Sequence, residues 1–241
     1  MVLSNSALGF ALARSESAAG SVVNGIVHNM NNPLHALTMQ TELFLKALDK
    51  DDLEAIRPNL REKCFRLQRI GEDLKSQLEA LAWRDTYTSR NNQLIDPVHF
   101  GNWFLEFWRY HLFFKHNFST TIVTDPAPPH IMAIPLAITW SLEEPLVTLL
   151  DLFQNTEPQI SFKLQLTISP LTDGAAFQLY VAPESGPVQA PAQPIFNEFD
   201  VRSLTSSLGW DWKATLEGGS LSVQLIVPAR PGVGENYERI G

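Results

Sequence analysis

Cysteine is almost absent: Cys64 is the only one among 241 residues, which excludes an intramolecular disulfide framework and a multi-cysteine metal site. Basic residues are few as well, with 18 lysines and arginines against 26 acidic residues and a formal net charge of -8. This balance argues against nucleic acid as a main partner, because binding phosphates requires a basic surface. No uninterrupted apolar run reaches the roughly 18 residues of a membrane span. We therefore expect a cytoplasmic protein without a membrane partner.

Apolar residues instead recur at steps of three and four along two long segments. The first carries Val23, Ile26, Met30, Leu34, Leu37, Phe44 and Leu48. The second carries Leu53, Ile56, Leu60, Cys64, Leu67, Ile70, Leu74, Leu78 and Leu81. This spacing predicts two amphipathic helices, joined by the polar turn 49–52 into an antiparallel hairpin. Cys64 is thus expected to be a buried thiol.

Two helices alone cannot bury stripes of this length, so a second copy of the chain is the expected partner. We expect a homodimer in which two hairpins form a four-helix bundle. Residues 1–20 have no strong pattern, and they either extend the first helix or lie loose. The helical hairpin domain is assigned to residues 1–90.

His28 is expected on the outer face of the first helix. It follows Ile26 by two positions, about 200° around the helix axis. With Val23 at heptad position a, His28 takes position f, the most exposed one. Pro33 predicts a bend just after the histidine. An exposed imidazole there is a candidate phosphoryl acceptor, and an ordinary surface histidine is the alternative.

Residues 91–241 mix helical and strand patterns. Helices are predicted at 98–114, 133–153 and 201–216, and strands at 118–123, 160–168, 176–181 and 221–227. This order predicts an α/β sandwich, with helices on one face of a mostly antiparallel sheet. The aromatic residues of 98–114 are expected to be core. The fold class is therefore α+β: a helical hairpin followed by a sandwich domain.

The segment from Gly25 to Leu37 resembles the H-box of sensor histidine kinases, in which a histidine precedes an acidic residue and an Asn-Pro-Leu run. Here the run is Asn32-Pro33-Leu34. Residues 66–74 are similar to the second helix of that family's dimerization and phosphotransfer hairpin. The element order after residue 95 is similar to its ATP-binding domain. The resemblance implies that His28 is the phosphoacceptor and that Asn32 either positions the attacking group or only shapes the helix bend.

The nucleotide-binding elements of that family are degenerate here. The helix that would hold Mg-ATP has no asparagine before Asn155 and carries Glu143 and Glu144, which would repel a triphosphate. Pro145 would also disturb this helix. Of the two glycine motifs, the remnants are at most Glu184, Gly186 and Gly209. We therefore expect neither ATP binding nor any other cofactor.

Asn29 occupies the position where family kinases have Glu or Asp, the general base when the histidine attacks ATP. An amide cannot accept a proton in this way. The sequence therefore predicts a phosphotransferase without autokinase activity. The receiver domain of a response regulator would supply the aspartate and Mg²⁺, and His28 would carry the phosphoryl group between receivers.

Candidate receiver contacts lie on both helices beyond the histidine: His35, Met39, Leu43, Lys63, Arg66 and Arg69. The three basic residues could face an acidic receiver pocket or form an ordinary solvated helix face. The alternative function is a non-catalytic pseudo-histidine-kinase that binds a response regulator or a kinase as a scaffold, and an active kinase is a third option. The histidines outside the hairpin have no ligand spacing, so no metal site is expected.

Overall fold

Two long helices open the chain in the computed structural model, which describes residues 5–48, 53–124, 126–156, 160–186, 188 and 198–228. Helix α1 spans Asn5–Leu48 and helix α2 spans Leu53–Tyr87. They run antiparallel, since Asn24 shares a cavity with Asp85 while Asn29 shares one with Gln77. The predicted hairpin is therefore confirmed, and its turn at 49–52 lies outside the described residues.

The remaining elements belong to the sandwich. The helices are α3 (Pro97–Trp108), α4 (Leu112–Asn117), α5 (Pro135–Phe153) and α6 (Glu198–Ser207). The strands are β1 (Gln93–Ile95), β2 (Phe118–Val123), β3 (Ile131–Ala133), β4 (Phe162–Leu171), β5 (Gly174–Pro183), β6 (Asp211–Glu217) and β7 (Ser220–Pro228). Strand β1 was not predicted, and it pairs with β3.

The main sheet has five strands in the order β2-β4-β5-β7-β6. Strands β2 and β4 are parallel, and the other pairs are antiparallel. Along β4, Phe162 and Leu164 are buried whereas Lys163 and Gln165 are exposed, so one face is covered and the other meets solvent. Helices α3, α5 and α6 contact the sheet. The predicted α/β sandwich is confirmed.

The prediction of one helix over 201–216 is wrong. Helix α6 ends at Ser207, Gly209 adopts φ +73°, and residues 211–217 form β6 against β7. Trp212 and Ala214 are buried and alternate with exposed Asp211 and Lys213. This alternation has the period of two that is typical of a strand.

The single helix predicted at 98–114 is also divided. Asp96 caps α3 by accepting hydrogen bonds from the backbone N–H groups of Val98 and His99. The chain turns at residues 109–111, and His111 caps α4. The aromatic side chains are core as expected: Phe100, Trp103, Phe104, Phe107, Trp108 and Phe114 are all buried.

Residues 5–20 extend α1, and this extension packs against α5. The buried stripe of α1 is therefore rotated from the predicted one: Val22 is buried, whereas Val23 is 39% exposed. The prediction for Cys64 is also wrong, because its thiol is exposed. One continuous hydrophobic cluster includes residues of the hairpin and of the sandwich, and the boundary at residue 90 stays a prediction. No helix in the described ranges is long and apolar enough to cross a membrane.

Candidate functional site

His28 is exposed on α1, as its position two residues after buried Ile26 predicts. Helix α1 continues without interruption through Pro33. The stretch from Gly25 to Leu34 is therefore helical throughout. The His28 imidazole is accessible to a partner molecule.

Asn29, the next residue, is buried against the sandwich. Its Oδ1 accepts a hydrogen bond from Lys115 Nζ of α4 at 3.0 Å. Its Nδ2 is buried without a hydrogen-bond partner among the described residues. Asn29 thus connects the helix that carries His28 to the sandwich, and its amide is not presented beside the imidazole as a proton acceptor.

Gly25 lies one turn before Asn29 and makes another close contact with the sandwich. A Cβ at this position would lie 1.9 Å from the carbonyl oxygen of Tyr110. Only glycine allows the helix to approach that backbone so closely. The part of α1 that carries His28 is therefore held against residues 110–115 by contacts about one helical turn apart.

A cavity of about 610 Å³ lies beside these contacts, between the hairpin and the sandwich. Asn29 and Asn32 of α1 line it, together with Gln77 of α2 and Lys115 of α4. The structure thus brings together two of the predicted catalytic residues, Asn29 and Asn32. His28 is not part of the cavity wall, and it faces solvent instead.

The predicted receiver contacts lie on the hairpin surface. Met39 and Leu43 are 47% and 48% exposed, His35 and Arg69 are exposed, and Lys63 is half-buried. Arg66 is exposed and donates a hydrogen bond of 2.6 Å to Glu62 Oε1, so a receiver would have to compete with that carboxylate. The role of these residues stays a prediction.

Glu143 of α5 is buried against the hairpin, rather than facing a nucleotide site. Its carboxylate accepts two hydrogen bonds from the guanidinium of Arg84 on α2 and one of 2.8 Å from Ser15 Oγ on α1. Arg84 also donates to the backbone oxygen of Ser15 at 2.7 Å, and its guanidinium carbon lies 4.6 Å from the centre of the Phe107 ring. These hydrogen bonds offset the cost of burying both charges. One ion pair thereby ties α1, α2 and α5 together.

Glu144 is held in the same way by Arg14, the residue of α1 that precedes Ser15. Arg14 donates from Nη2 to Oε1 at 2.7 Å and from Nε to Oε2 at 3.2 Å. Trp140 Nε1 donates to the same carboxylate at 3.3 Å, and Phe10 meets the Trp140 ring edge-on. Hairpin arginines thus neutralise both α5 carboxylates, and α1 covers the face that carries them.

Pro145 lies inside α5, which continues through it as the predicted helix over 133–153 does. Proline has no N–H, so the carbonyl of Ser141, four residues earlier, lacks its helical donor. Trp212 Nε1 of β6 donates to this oxygen at 3.0 Å. The indole thus bonds to the oxygen that Pro145 leaves without a helical donor, and the helix is continuous.

The remnants of the glycine motifs have structural contacts of their own. Glu184 Oε1 accepts a hydrogen bond from Ser119 Oγ at 3.2 Å. Gly186, with φ +92°, lies in the turn after β5. Gly209 follows α6 and precedes a strand, so it is not a phosphate loop ahead of a helix. Residues 189–197, between β5 and α6, lie outside the described residues.

Two side chains in the turn that contacts Gly25 have shifted pKa values. Burial raises the pKa of Tyr110 to about 12, and the phenol donates to Glu106 Oε1 at 3.0 Å. Burial also lowers the pKa of His111, whose Nδ1 accepts the N–H of Phe114. Both side chains are neutral near pH 7. Within the described ranges, no group of three or more His, Cys, Asp or Glu side chains could hold a metal ion.

Gly25 and Lys115 were not among the residues that the sequence singled out. A glycine inside a long helical pattern signals a close packing contact, so Gly25 could have been found. Lys115 has no comparable signal, because its partner Asn29 is 86 residues away in the sequence.

Comparison with solved structures finds histidine kinases and a bacterial phosphotransferase, each at low sequence identity. The catalytic domain of the histidine kinase ThkA is 12% identical, with a TM-score of 0.45 over 58% of this chain and 97% of that one. A bacterial phosphotransferase is 13% identical, with a TM-score of 0.42 over 93% and 98%. ThkA in complex with the response regulator protein TrrA is 12% identical, with a TM-score of 0.42 over 91% and 64%. Comparisons with protein-family models and with curated proteins find no match.

Proposed function

We propose that this protein is a histidine phosphotransfer protein of a two-component phosphorelay, in which His28 carries a phosphoryl group between receiver aspartates. The observation that carries the proposal is an exposed imidazole on a helix segment that is held in place. Gly25 against Tyr110 and Asn29 against Lys115 hold that segment on the sandwich. Fixed placement favours transfer to a docked receiver, because the rate depends strongly on the orientation of the reacting atoms.

In the proposed reaction, a neutral imidazole nitrogen of His28 attacks the phosphorus atom of a phosphoaspartate on the receiver. A P–N bond forms, the P–O bond to the aspartate breaks, and the aspartate leaves as a carboxylate. In the reverse reaction, the phosphoryl group passes from His28 to the aspartate of a second receiver. Asn32 is exposed and lies four residues after His28, on the same helix face, where its amide can orient the phosphoryl group. The receiver supplies Mg²⁺, so this chain needs no cofactor.

The proposal includes no ATP chemistry. The α5 carboxylates are tied to hairpin arginines, and α1 covers their face of the helix. Asn29, at the position of the kinase general base, is an amide bonded to Lys115. Calorimetric titration with Mg-ATP is expected to show no heat of binding. Micromolar affinity would contradict this part of the proposal.

A second copy of the chain is part of the same proposal. Large apolar side chains remain exposed along the hairpin: Val27, Leu34, Leu45, Phe65 and Leu78. Exposed apolar side chains of this size along a helical hairpin favour an interface. Light scattering coupled to size exclusion is expected to give twice the mass of one chain, and a monomer at micromolar concentration would contradict the dimer.

The transfer assay tests the function itself. Purified phosphorylated receivers are mixed with the protein without nucleotide, and acid-labile label on the protein is measured. Label is expected on the wild type and on His130→Ala, an exposed histidine outside the hairpin, and not on His28→Ala. Equal labelling of His28→Ala, or no labelling of the wild type by any cognate receiver, would reject the function.

The alternative is a non-catalytic scaffold that binds a response regulator or a kinase. Met39 and Leu43 favour it, because they are exposed apolar side chains about one turn apart and their accessibility does not depend on His28 chemistry. In a scaffold, His28→Ala would keep regulator binding and the downstream response. Met39→Glu or Leu43→Glu would abolish both.

A further inference from the structure

The cavity between the hairpin and the sandwich does not include His28, although Asn32 lies at its wall. Its volume of about 610 Å³ lies within the range of roughly 300–1,000 Å³ that small-molecule sites occupy. Pro33, Phe114 and Phe118 give it an apolar section. Its charged side chains determine which ligand would fit.

Two of the four charged residues of the wall are already paired. Arg109 donates to Glu106 Oε2 at 3.1 Å, and Tyr110 donates to the other oxygen of that carboxylate. The other two are Asp73 on α2 and Lys115 on α4. Asp73 has no ion pair or hydrogen bond within the described ranges, and Lys115 bonds there to the neutral oxygen of Asn29. Both side chains are exposed. One negative and one positive charge thus lie on different elements around the same cavity without an opposite charge paired to them.

Two buried amides of the wall also have unused hydrogen-bonding atoms. Asn29 Nδ2 is a donor and Gln77 Oε1 an acceptor, and neither has a partner in the part of the chain that the structure describes. Buried polar atoms in folded proteins are nearly always bonded. Both atoms are closed off from open solvent here, and each amide would have to turn about its terminal torsion, which is broad, to meet a ligand.

We propose that this cavity is a binding site for a free amino acid. The ammonium group of the ligand pairs with Asp73 and donates to Gln77 Oε1. Its carboxylate pairs with Lys115 and accepts from Asn29 Nδ2, and its side chain packs on Phe114 and its apolar neighbours. A net charge near zero, with both signs present, selects a zwitterion, since Asp73 and Glu106 would repel a phosphate-bearing ligand.

Binding does not depend on the phosphotransfer function. A consequence for regulation does rest on it: a ligand carboxylate that engages Lys115 changes the hydrogen bond that supports Asn29, the neighbour of His28. The rate of transfer from a receiver would then depend on the ligand. Loss of binding and loss of transfer are separate measurements, so either proposal can fail alone.

The test is calorimetric titration of the full chain with each of the twenty amino acids, at concentrations up to about 5 mM, which detects dissociation constants near 1 mM. For an amino acid that binds, two analogues follow: the amine without the carboxylate and the N-acetylated acid. Asp73→Asn and Lys115→Met are compared with Asp211→Asn and Lys213→Met, which remove exposed charges from β6. Circular dichroism checks that every variant is folded.

The expected result is saturable binding of at least one amino acid at one site per chain. Each analogue and each cavity variant should weaken it at least about tenfold, which corresponds to losing one charged contact. The β6 variants should bind as the wild type does. Absence of binding by all twenty amino acids, or equal binding by Asp73→Asn and Lys115→Met, would overturn the proposal and leave ordered water as the occupant.

Discussion

Lys115 Nζ lies 3.0 Å from Asn29 Oδ1, and this hydrogen bond joins the sandwich to the residue beside His28. One turn earlier, Gly25 packs on the carbonyl of Tyr110. The sandwich is therefore a fixed support for the exposed histidine.

Replacing Gly25 by Ala tests this close contact. In an open helical position, alanine would stabilise the protein by about 1 kcal/mol relative to glycine. Here the new methyl would meet a backbone oxygen that cannot move aside, so a net loss of about 1–3 kcal/mol is expected. Gly71→Ala is the matched control, because its Cβ meets nothing within 4 Å. Urea unfolding gives the free energy of unfolding of both variants. If Gly25→Ala were more stable than the wild type, the close contact with Tyr110 would not exist.

Removing one partner of the buried Arg84–Glu143 pair should be costly. Arg84→Met or Glu143→Gln is expected to destabilise the protein by about 3–5 kcal/mol, because each leaves an uncompensated or poorly matched polar group in the interior. Glu62→Gln breaks the exposed pair with Arg66 and should cost less than about 1 kcal/mol. Similar free energies of unfolding for the buried and exposed variants would contradict the buried network.

A double-mutant cycle tests the substitute hydrogen bond at Pro145. Trp212→Phe removes the donor to the Ser141 oxygen and should cost about 1–3 kcal/mol from the unpaired carbonyl, apart from the lost ring volume. Pro145→Ala restores a backbone N–H that can bond to the same oxygen. In that background, Trp212→Phe should therefore cost less. Additive effects on the free energy of unfolding would show that the indole does not replace the helical bond.

His111 makes stability depend on pH. Burial lowers its pKa in the folded protein, and Asp151 opposes this shift more weakly. The unfolded chain therefore binds more protons at this site, so stability is complete above the unfolded pKa of about 6.5 and falls as the pH decreases below it. Asn in place of His111 keeps a capping acceptor for α4 without a titrating ring.

The comparison needs unfolding curves at two pH values. Between about pH 7.5 and 5.5, the wild type should lose more stability than His111→Asn. Equal losses in the two proteins would mean that His111 is not neutral in the folded state.

Local patterns were enough to predict most of the fold. The two helices of the hairpin, the strand at 118–123 and the aromatic core of α3 each follow from short-range periodicity. The same reasoning failed at 211–217, where a helical prediction was continued past Gly209 into a segment that alternates with period two. It also failed at Cys64, because the spacing of apolar residues along a helix does not determine which of them pack against another element.

The site was less predictable than the fold, since its contacts join residues far apart in the sequence. His28 could be placed on an exposed face from Ile26 alone. The burial of Asn29 depends on Lys115, and the orientation of Glu143 depends on Arg84 and Ser15. A charge pattern within α5 does not reveal these partners. The sequence therefore predicts carboxylates that repel a triphosphate, whereas both are bonded to the hairpin.

The most direct test of the phosphotransfer account is the position of the phosphoryl group. The protein is mixed with a phosphorylated cognate receiver without nucleotide, digested with trypsin under alkaline conditions, and sequenced by mass spectrometry. The peptide that follows Arg14 contains both His28 and His35, and fragmentation distinguishes them. We expect the phosphoryl group on His28. A phosphoryl group on any other residue of this protein would contradict the account. So would a receiver that stays fully phosphorylated while this protein remains unmodified.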